Sequence, residues 1–120
     1  MNGLEEILFN ESIKIVKFMY NNEFEKLNEL GYCREMSMDI LKNELYEYGG
    51  SIDEVDEEKY KKSFSYIKYE NEDSYVTYLN LFIDQEESDL TLMTNVSFYE
   101  DKIDVFIDDL HVKWTLCQVH

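Results

Sequence analysis

The hydrophobic period of this chain changes once, near its middle, and this change limits the possible folds more than any other feature. Before Gly49-Gly50 the apolar residues recur at helical spacing. From Phe64 onward apolar and polar residues alternate, as in strands that bury one face. We therefore predict a single α+β domain over residues 1–120, with a helical part at 1–50, an antiparallel sheet at 63–112 and a C-terminal extension at 113–120.

Three helices are expected in the helical part. Asn2 can cap the first helix and Ser37 the third, because both side chains can accept a bond from a free backbone N–H. Asn22 and Glu25 have the spacing of a capping box for the second helix, and Gly31 is a natural stop. The apolar stripes of the first and third helices are Leu4, Ile7, Leu8, Ile15, Phe18 and Met19, and Ile40, Leu41, Leu45 and Tyr48.

Four strands are expected after the polar connection Ser51–Lys62. They run near Phe64–Tyr69, Tyr75–Ile83, Leu90–Tyr99 and Ile103–Val112. Short turns separate them, at Asn71–Ser74, Gln85–Ser88 and Glu100–Lys102. Short links favour hairpins, so the strands form a four-stranded antiparallel meander, and one of its faces must cover the helical stripes. This layout is similar to the nuclear-transport-factor-like (NTF2-like) and cystatin-like architectures.

The fourth strand contains a change of parity. Its apolar residues alternate up to Ile107, whereas Leu110 and Val112 fall on the opposite parity. One extra residue at Asp108-Asp109 would return them to the buried face, so we predict a β-bulge there. The alternative is that the strand ends near Asp108.

The charge of the chain restricts its partners. The sequence holds 27 Asp and Glu against 11 Lys and Arg, a formal net charge of −16. Such a surface repels phosphate backbones and anionic membranes, so we expect no nucleic-acid or membrane partner. It attracts and steers basic proteins, although the charge can also serve solubility alone. Because 44% of the residues are apolar, we expect a folded core despite this charge.

Hairpin geometry predicts where the acidic residues meet. The second turn, the start of the first strand and the finish of the fourth fall at the same end of a meander. We expect a partner-binding rim there, formed by Asp53, Glu54, Asp56, Glu57, Glu58, Asp84, Glu86, Glu87, Asp89, Asp108 and Asp109. Oxygen ligands for a hard cation and paired catalytic carboxylates are the alternatives at this rim. Since no calcium-loop spacing or contrasting carboxylate environment is apparent, we predict no metal, no cofactor and no catalytic residue.

A few other polar side chains are candidates for chemical roles. His111, near Asp89 or Asp109, fits a structural hydrogen bond, and its alternative is a general base or a pH switch. Ser88 fits a side-chain cap of the turn better than a nucleophile. Cys33 and Cys117 lack a metal or redox spacing, and the sequence leaves their pairing open. Without a signal peptide or a long apolar run, the protein is expected to be soluble and cytoplasmic.

Two motifs carry a resemblance to known proteins. Ser88–Leu92 reads Ser-Asp-Leu-Thr-Leu, and Ile107–Val112 reads Ile-Asp-Asp-Leu-His-Val. With Tyr48-Gly49 upstream, this order resembles a widespread family of small bacterial proteins of unknown function, over roughly Ser37–Val112. The chain departs from the family where Phe82-Ile83 replaces Trp-Thr and Glu86-Glu87 replaces Gly-Arg.

The resemblance implies a function by association. Members of that family look like accessory and immunity proteins of bacterial toxin loci, which implies a non-enzymatic inhibitor of a basic toxin such as a nuclease. The alternative is an NTF2-like small-molecule-binding or enzymatic domain with a pocket between helices and sheet. A third alternative is a structural or oligomerisation domain.

Overall fold

A computed structural model describes residues 1–69 and 73–112, and it confirms the α+β architecture. The helices are α1 (Gly3–Tyr20), α2 (Phe24–Glu29), α3 (Met38–Tyr48) and α4 (Glu57–Lys61), and the strands are β1 (Ser65–Lys68), β2 (Ser74–Ile83), β3 (Glu86–Tyr99) and β4 (Lys102–Val112). The four strands form one sheet in the order β1-β2-β3-β4 with every neighbouring pair antiparallel, which is the predicted meander. The extension 113–120 with Cys117, and the residues Asn71 and Glu72 of the predicted Asn71–Ser74 turn, lie outside the described residues.

Helices α1 and α3 begin at the predicted capping residues, and α2 does not. Asn2 forms a full capping box with Glu5, and the Ser37 hydroxyl accepts a hydrogen bond of 3.2 Å from the Ile40 N–H. The capping box predicted for α2 is wrong, because Asn22 takes a left-handed conformation (φ 60°) in the turn that follows α1. The N-cap position of α2 is therefore Glu23 and not Asn22, and no side chain accepts a hydrogen bond from the first N–H groups of this helix.

The polar connection Ser51–Lys62 contains structure that its composition did not indicate. Ile52 forms an antiparallel bridge to Ile83, so this segment extends the sheet beyond the end of the short strand β1. Asp56 then caps α4 by accepting bonds from two backbone N–H groups. Tyr60 anchors this short helix, because its ring is buried and its hydroxyl accepts a 3.0 Å hydrogen bond from the Phe82 N–H.

The core lies between the helices and one face of the sheet. Leu79, Leu92 and Leu110 are cross-strand neighbours and fully buried. The buried side chains of α1 pack on this same face, where the Ser12 hydroxyl lies 2.8 Å from the Thr77 hydroxyl. The apolar stripes are narrower than the sequence suggests, since Ile7 and Ile40 are both exposed.

Two features of the sheet bear on the site. The bulge predicted at Asp108-Asp109 is confirmed: Thr94 pairs with Ile107 and Met93 with Asp109, so Asp108 is the extra residue. The predicted turn Gln85–Ser88 is misplaced, because the observed turn is Asp84-Gln85. Strand β3 begins at Glu86, and Asp84 (φ 53°) and Gln85 (φ 75°) form the turn, with the two positive φ angles of the tight hairpin type that matches strand twist.

Candidate functional site

A reciprocal set of hydrogen bonds holds Ser51–Asp53 against the β2–β3 turn. The Asp53 carboxylate accepts two contacts from the Gln85 N–H, at 2.8 and 3.1 Å. The Asp84 carboxylate accepts a 3.1 Å bond from the Ser51 N–H, and the Asp84 N–H donates to the Ser51 carbonyl at 3.0 Å. We call this arrangement the turn clasp. It places the first two predicted acidic runs side by side at one end of the sheet, as expected from hairpin geometry.

The first acidic run continues from the clasp into α4. A groove of about 530 Å³ is lined by this run together with Gln85 from the turn. Glu57 forms a 3.2 Å ion pair with Lys17 of α1, and Glu58 forms a 3.4 Å pair with Lys61. Both pairs are exposed and contribute little to stability. The Glu54 side chain is exposed beside them.

The second acidic run lines a separate cleft of about 360 Å³, between the end of α3 and the start of β3. Its acidic lining residues are Asp84, Glu86 and Glu87, and Glu87 accepts a 2.8 Å hydrogen bond from the Asn80 amide. The Tyr48 hydroxyl donates a 2.8 Å bond to the Asp89 carboxylate. This bond raises the pKa of Tyr48, since the carboxylate disfavours a phenolate, and the phenol remains a donor at neutral pH. We call residues 53–58 and 84–89 together the acidic end.

The third predicted run does not reach the acidic end. Asp109 lies opposite Met93, and Met93 pairs with Tyr78, five positions before Ile83 along β2. At strand spacing this is about 17 Å from the turn. The prediction that Asp108-Asp109 shares the rim is therefore wrong, because the β3–β4 register places Asp109 opposite Met93 and only Val112 opposite Leu90.

Asp108 and Asp109 instead form a second, smaller acidic site at the bulge. Asp108 is half-buried, and burial, followed by repulsion from Asp109 and Glu35, raises the pKa of its carboxyl. Asp109 accepts a 2.8 Å bond from the Leu110 N–H, and its other oxygen lies 3.1 Å from Nδ1 of His111. The contact between His111 and Asp109 becomes an ion pair only when the imidazole is protonated. The proposed role of His111 as a switch stays a prediction.

The raised pKa of Asp108 predicts a pH-dependent effect of the Asp108→Asn substitution. A carboxyl whose pKa is raised on folding contributes stability below its unfolded value, near 3.8, and loses it as the pH rises through the folded value. Asp108→Asn should therefore be more stable than the parent at pH 7, and the advantage should disappear below about pH 4. Urea unfolding across this pH range measures the effect. The control Asp101→Asn removes the same charge at an exposed position. If the change in the free energy of unfolding depends on pH equally in the two variants, the surroundings of Asp108 are not its cause.

The remaining candidates have structural contacts. The Ser88 hydroxyl donates to the Leu81 carbonyl at 2.6 Å and accepts from the Leu90 N–H at 3.1 Å, where the three residues Ser88–Leu90 of β3 lie opposite Leu81 alone. The hydroxyl thus replaces backbone hydrogen bonds between β2 and β3 that are lost at this irregularity. This role is similar to the predicted side-chain cap of the turn. Burial raises the pKa of Cys33, which favours the thiol over a reactive thiolate.

The described part of the chain has neither a metal-binding cluster nor a membrane-spanning helix. Over 1–69 and 73–112, no group of three His, Cys, Asp or Glu side chains is arranged to hold a metal ion. Within the same ranges, no helix has the length and hydropathy required to cross a bilayer.

Sequence patterns missed an apolar groove near the acidic end, between α1, α3 and Ile52. It contains two exposed tyrosines, Tyr20 and Tyr46. The available signal was Tyr46 itself, an aromatic residue that directly follows Leu45 and lies off the buried stripe of α3.

The family model of the domain of unknown function DUF7668 matches residues 16–113, from the middle of α1 to the end of β4. The chain belongs to this family. The DUF7668 match includes the acidic end, the bulge and both sequence motifs, and it begins further upstream than the expected Ser37. It confirms the expectation of a small domain of unknown function. No curated protein and no solved structure matched the chain.

Proposed function

We propose that this DUF7668 protein is a non-enzymatic binding protein that docks a basic protein partner on its acidic end. The observation that carries the proposal is the turn clasp, which fixes two acidic runs side by side on a chain of net charge −16. Like charges at close range are unfavourable in the free protein, and a cationic partner would offset that repulsion.

The acidic end is suited to fast, charge-steered association. Glu54 and Glu86 are exposed and directly follow the clasp residues Asp53 and Gln85, whose backbone the hydrogen bonds of Asp53 and Asp84 hold in place. A fixed arrangement of charges requires less ordering on binding than mobile side chains do. Complementary charge raises the association rate, and the rate falls with ionic strength.

The partner that fits this chemistry best is a basic bacterial toxin, with the chain acting as its immunity protein. Toxins that cleave nucleic acid are basic because they bind phosphate, so an acidic antagonist competes for the same surface. The alternative, a ligand pocket between helices and sheet, has less support. In the described residues that space is filled by packed side chains, among them Leu8, Ile15, Leu79 and Leu92.

The proposal is tested by measuring binding to the products of the genes adjacent to this one, at least one of which is expected to be a basic protein. The triple variant Glu54→Gln, Glu86→Gln, Glu87→Gln should bind about tenfold more weakly at low salt, mainly through a slower association rate. Surface plasmon resonance between 50 and 500 mM salt measures this, and a steep loss of affinity with salt is expected.

A matched control removes the same charge elsewhere. The triple variant Glu25→Gln, Glu29→Gln, Asp101→Asn changes exposed carboxylates on α2 and at the β3–β4 turn. It should bind almost as well as the parent. An absence of binding at low salt, or an equal loss for the two triple variants, would sink the assignment of the acidic end as the docking surface.

A further inference from the structure

An apolar groove of about 480 Å³ lies where the ends of α1 and α3 approach Gly50–Ile52, at the start of the segment that the turn clasp holds. Its apolar lining residues are Met19, Tyr20, Phe24, Leu45, Tyr46 and Ile52. Tyr46 is 85% exposed and Tyr20 is 43% exposed. Two open tyrosine rings beside partly buried aliphatic side chains form the kind of surface that anchors a large apolar side chain of a partner.

The groove adjoins the acidic end. Gly50 lines both the groove and the cleft that holds Asp84, Glu86 and Glu87. The two depressions therefore lie on either side of one stretch of backbone, Gly49–Ser51, which the turn clasp fixes. One short segment of a partner can cross this stretch, with an apolar side chain in the groove and a cation in the cleft.

We infer that the groove receives a bulky apolar side chain flanked by lysine or arginine, carried by the basic partner of the proposed function, on which this inference rests. Charge complementarity selects this occupant. A second copy of the chain would bring another net charge of −16 to the same face, which opposes self-association. Lys42, which also lines the groove, lies 5.9 Å from the centre of the Phe24 ring and remains at the groove wall.

A peptide titration separates the apolar anchor from the charge. The probe is a short lysine-rich peptide with a central Trp-Leu pair, and its matched control has Ser-Ser in place of that pair. Backbone amide NMR of the full chain at low salt should show the Trp-Leu peptide shifting Tyr46, Gly50 and Ile52, with a dissociation constant about tenfold below that of the control peptide.

Two tyrosine variants localise the anchor. Tyr46→Ser should reduce the affinity for the Trp-Leu peptide about tenfold and leave the Ser-Ser peptide unaffected. Tyr99→Ser removes another exposed ring, 53% exposed, at the opposite end of the sheet, at the β3–β4 turn, and should change neither affinity. Both side chains are exposed, so neither variant is expected to affect folding.

Each other outcome overturns the inference. Equal binding of the two peptides, with shifts confined to the acidic end, would leave the proposed function standing and remove the groove from it. Binding of neither peptide at low salt would remove both. A concentration-dependent dimer that buries Tyr46 would show that a second copy occupies the groove.

Discussion

Replacing Gly50 with alanine should lower the free energy of unfolding by about 2–4 kcal/mol, because the new methyl group meets both backbone strain and fixed neighbours. Gly50 has a φ of 79°, a conformation that L-residues rarely adopt. A Cβ there would lie 2.7 Å from the Ile83 Cγ2 and 2.6 Å from the Asp84 Oδ2. Ile83 is a buried strand residue bridged to Ile52, and Asp84 is bonded to the Ser51 N–H, so neither can move without opening the turn clasp.

A second glycine separates the backbone strain from the contacts of the added methyl group. Gly31 has a similar φ of 89°, but an added Cβ there meets nothing within 4 Å. Gly31→Ala should therefore lower the free energy of unfolding only through the backbone strain, by about 1–2 kcal/mol. Urea unfolding at 25 °C compares the variants, and hydrogen exchange at the Gln85 amide reports on the clasp. Equal losses at Gly50 and Gly31 would show that the contacts with Ile83 and Asp84 yield without cost.

The features that the sequence predicted correctly depend on neighbouring residues or on simple alternation. The Asn2 and Ser37 caps each require a side chain and a backbone N–H within three positions. The bulge follows from parity, since Ile107 and Leu110 can both be buried only when one residue is added between them. The α+β layout follows from the change of hydrophobic period.

The features that the sequence did not predict depend on partners far along the chain. Helix α4 has only five residues, too few to show a period, and its anchor is the contact of Tyr60 with Phe82 of β2. The tight turn lacks the usual Asn-Gly signal. Asp84 and Gln85 adopt positive φ angles there while bonded to Ser51 and Asp53, more than thirty positions earlier.

The candidate site also contains features that the sequence predicted and features that it did not. Turn geometry brought residues 53–58 and 84–89 together correctly, because both flank the same end of β2. The placement of Asp108-Asp109 was wrong, because it required the pairing register of β3 and β4, which no local pattern encodes. The apolar groove requires the packing of α1, α2 and α3 around Ile52, and no local pattern encodes it.

Deleting Asp108 should leave the fold intact and change the free energy of unfolding by no more than about 1 kcal/mol. Asp109 would then follow Ile107 directly and still lie opposite Met93, and Leu110 would remain buried opposite Leu92. The strand becomes regular, with every side chain on its present face. The deletion also removes a carboxyl whose charged form is disfavoured by its surroundings, which offsets part of the loss of the bulge.

Deleting Phe106 produces a chain of the same length with a very different expected stability. Regular pairing would turn Ile107 outward and place Asp108 at the buried position that Ile107 occupies opposite Thr94. Keeping Ile107 inside would instead turn Val105 outward. The lost apolar burial and the buried carboxylate together should cost about 4 kcal/mol or more, a large part of the stability of a domain of this size. Urea unfolding of the two deletions measures the contrast, and comparable losses in both would show that Asp108 is paired in the ladder and that the strand has no bulge.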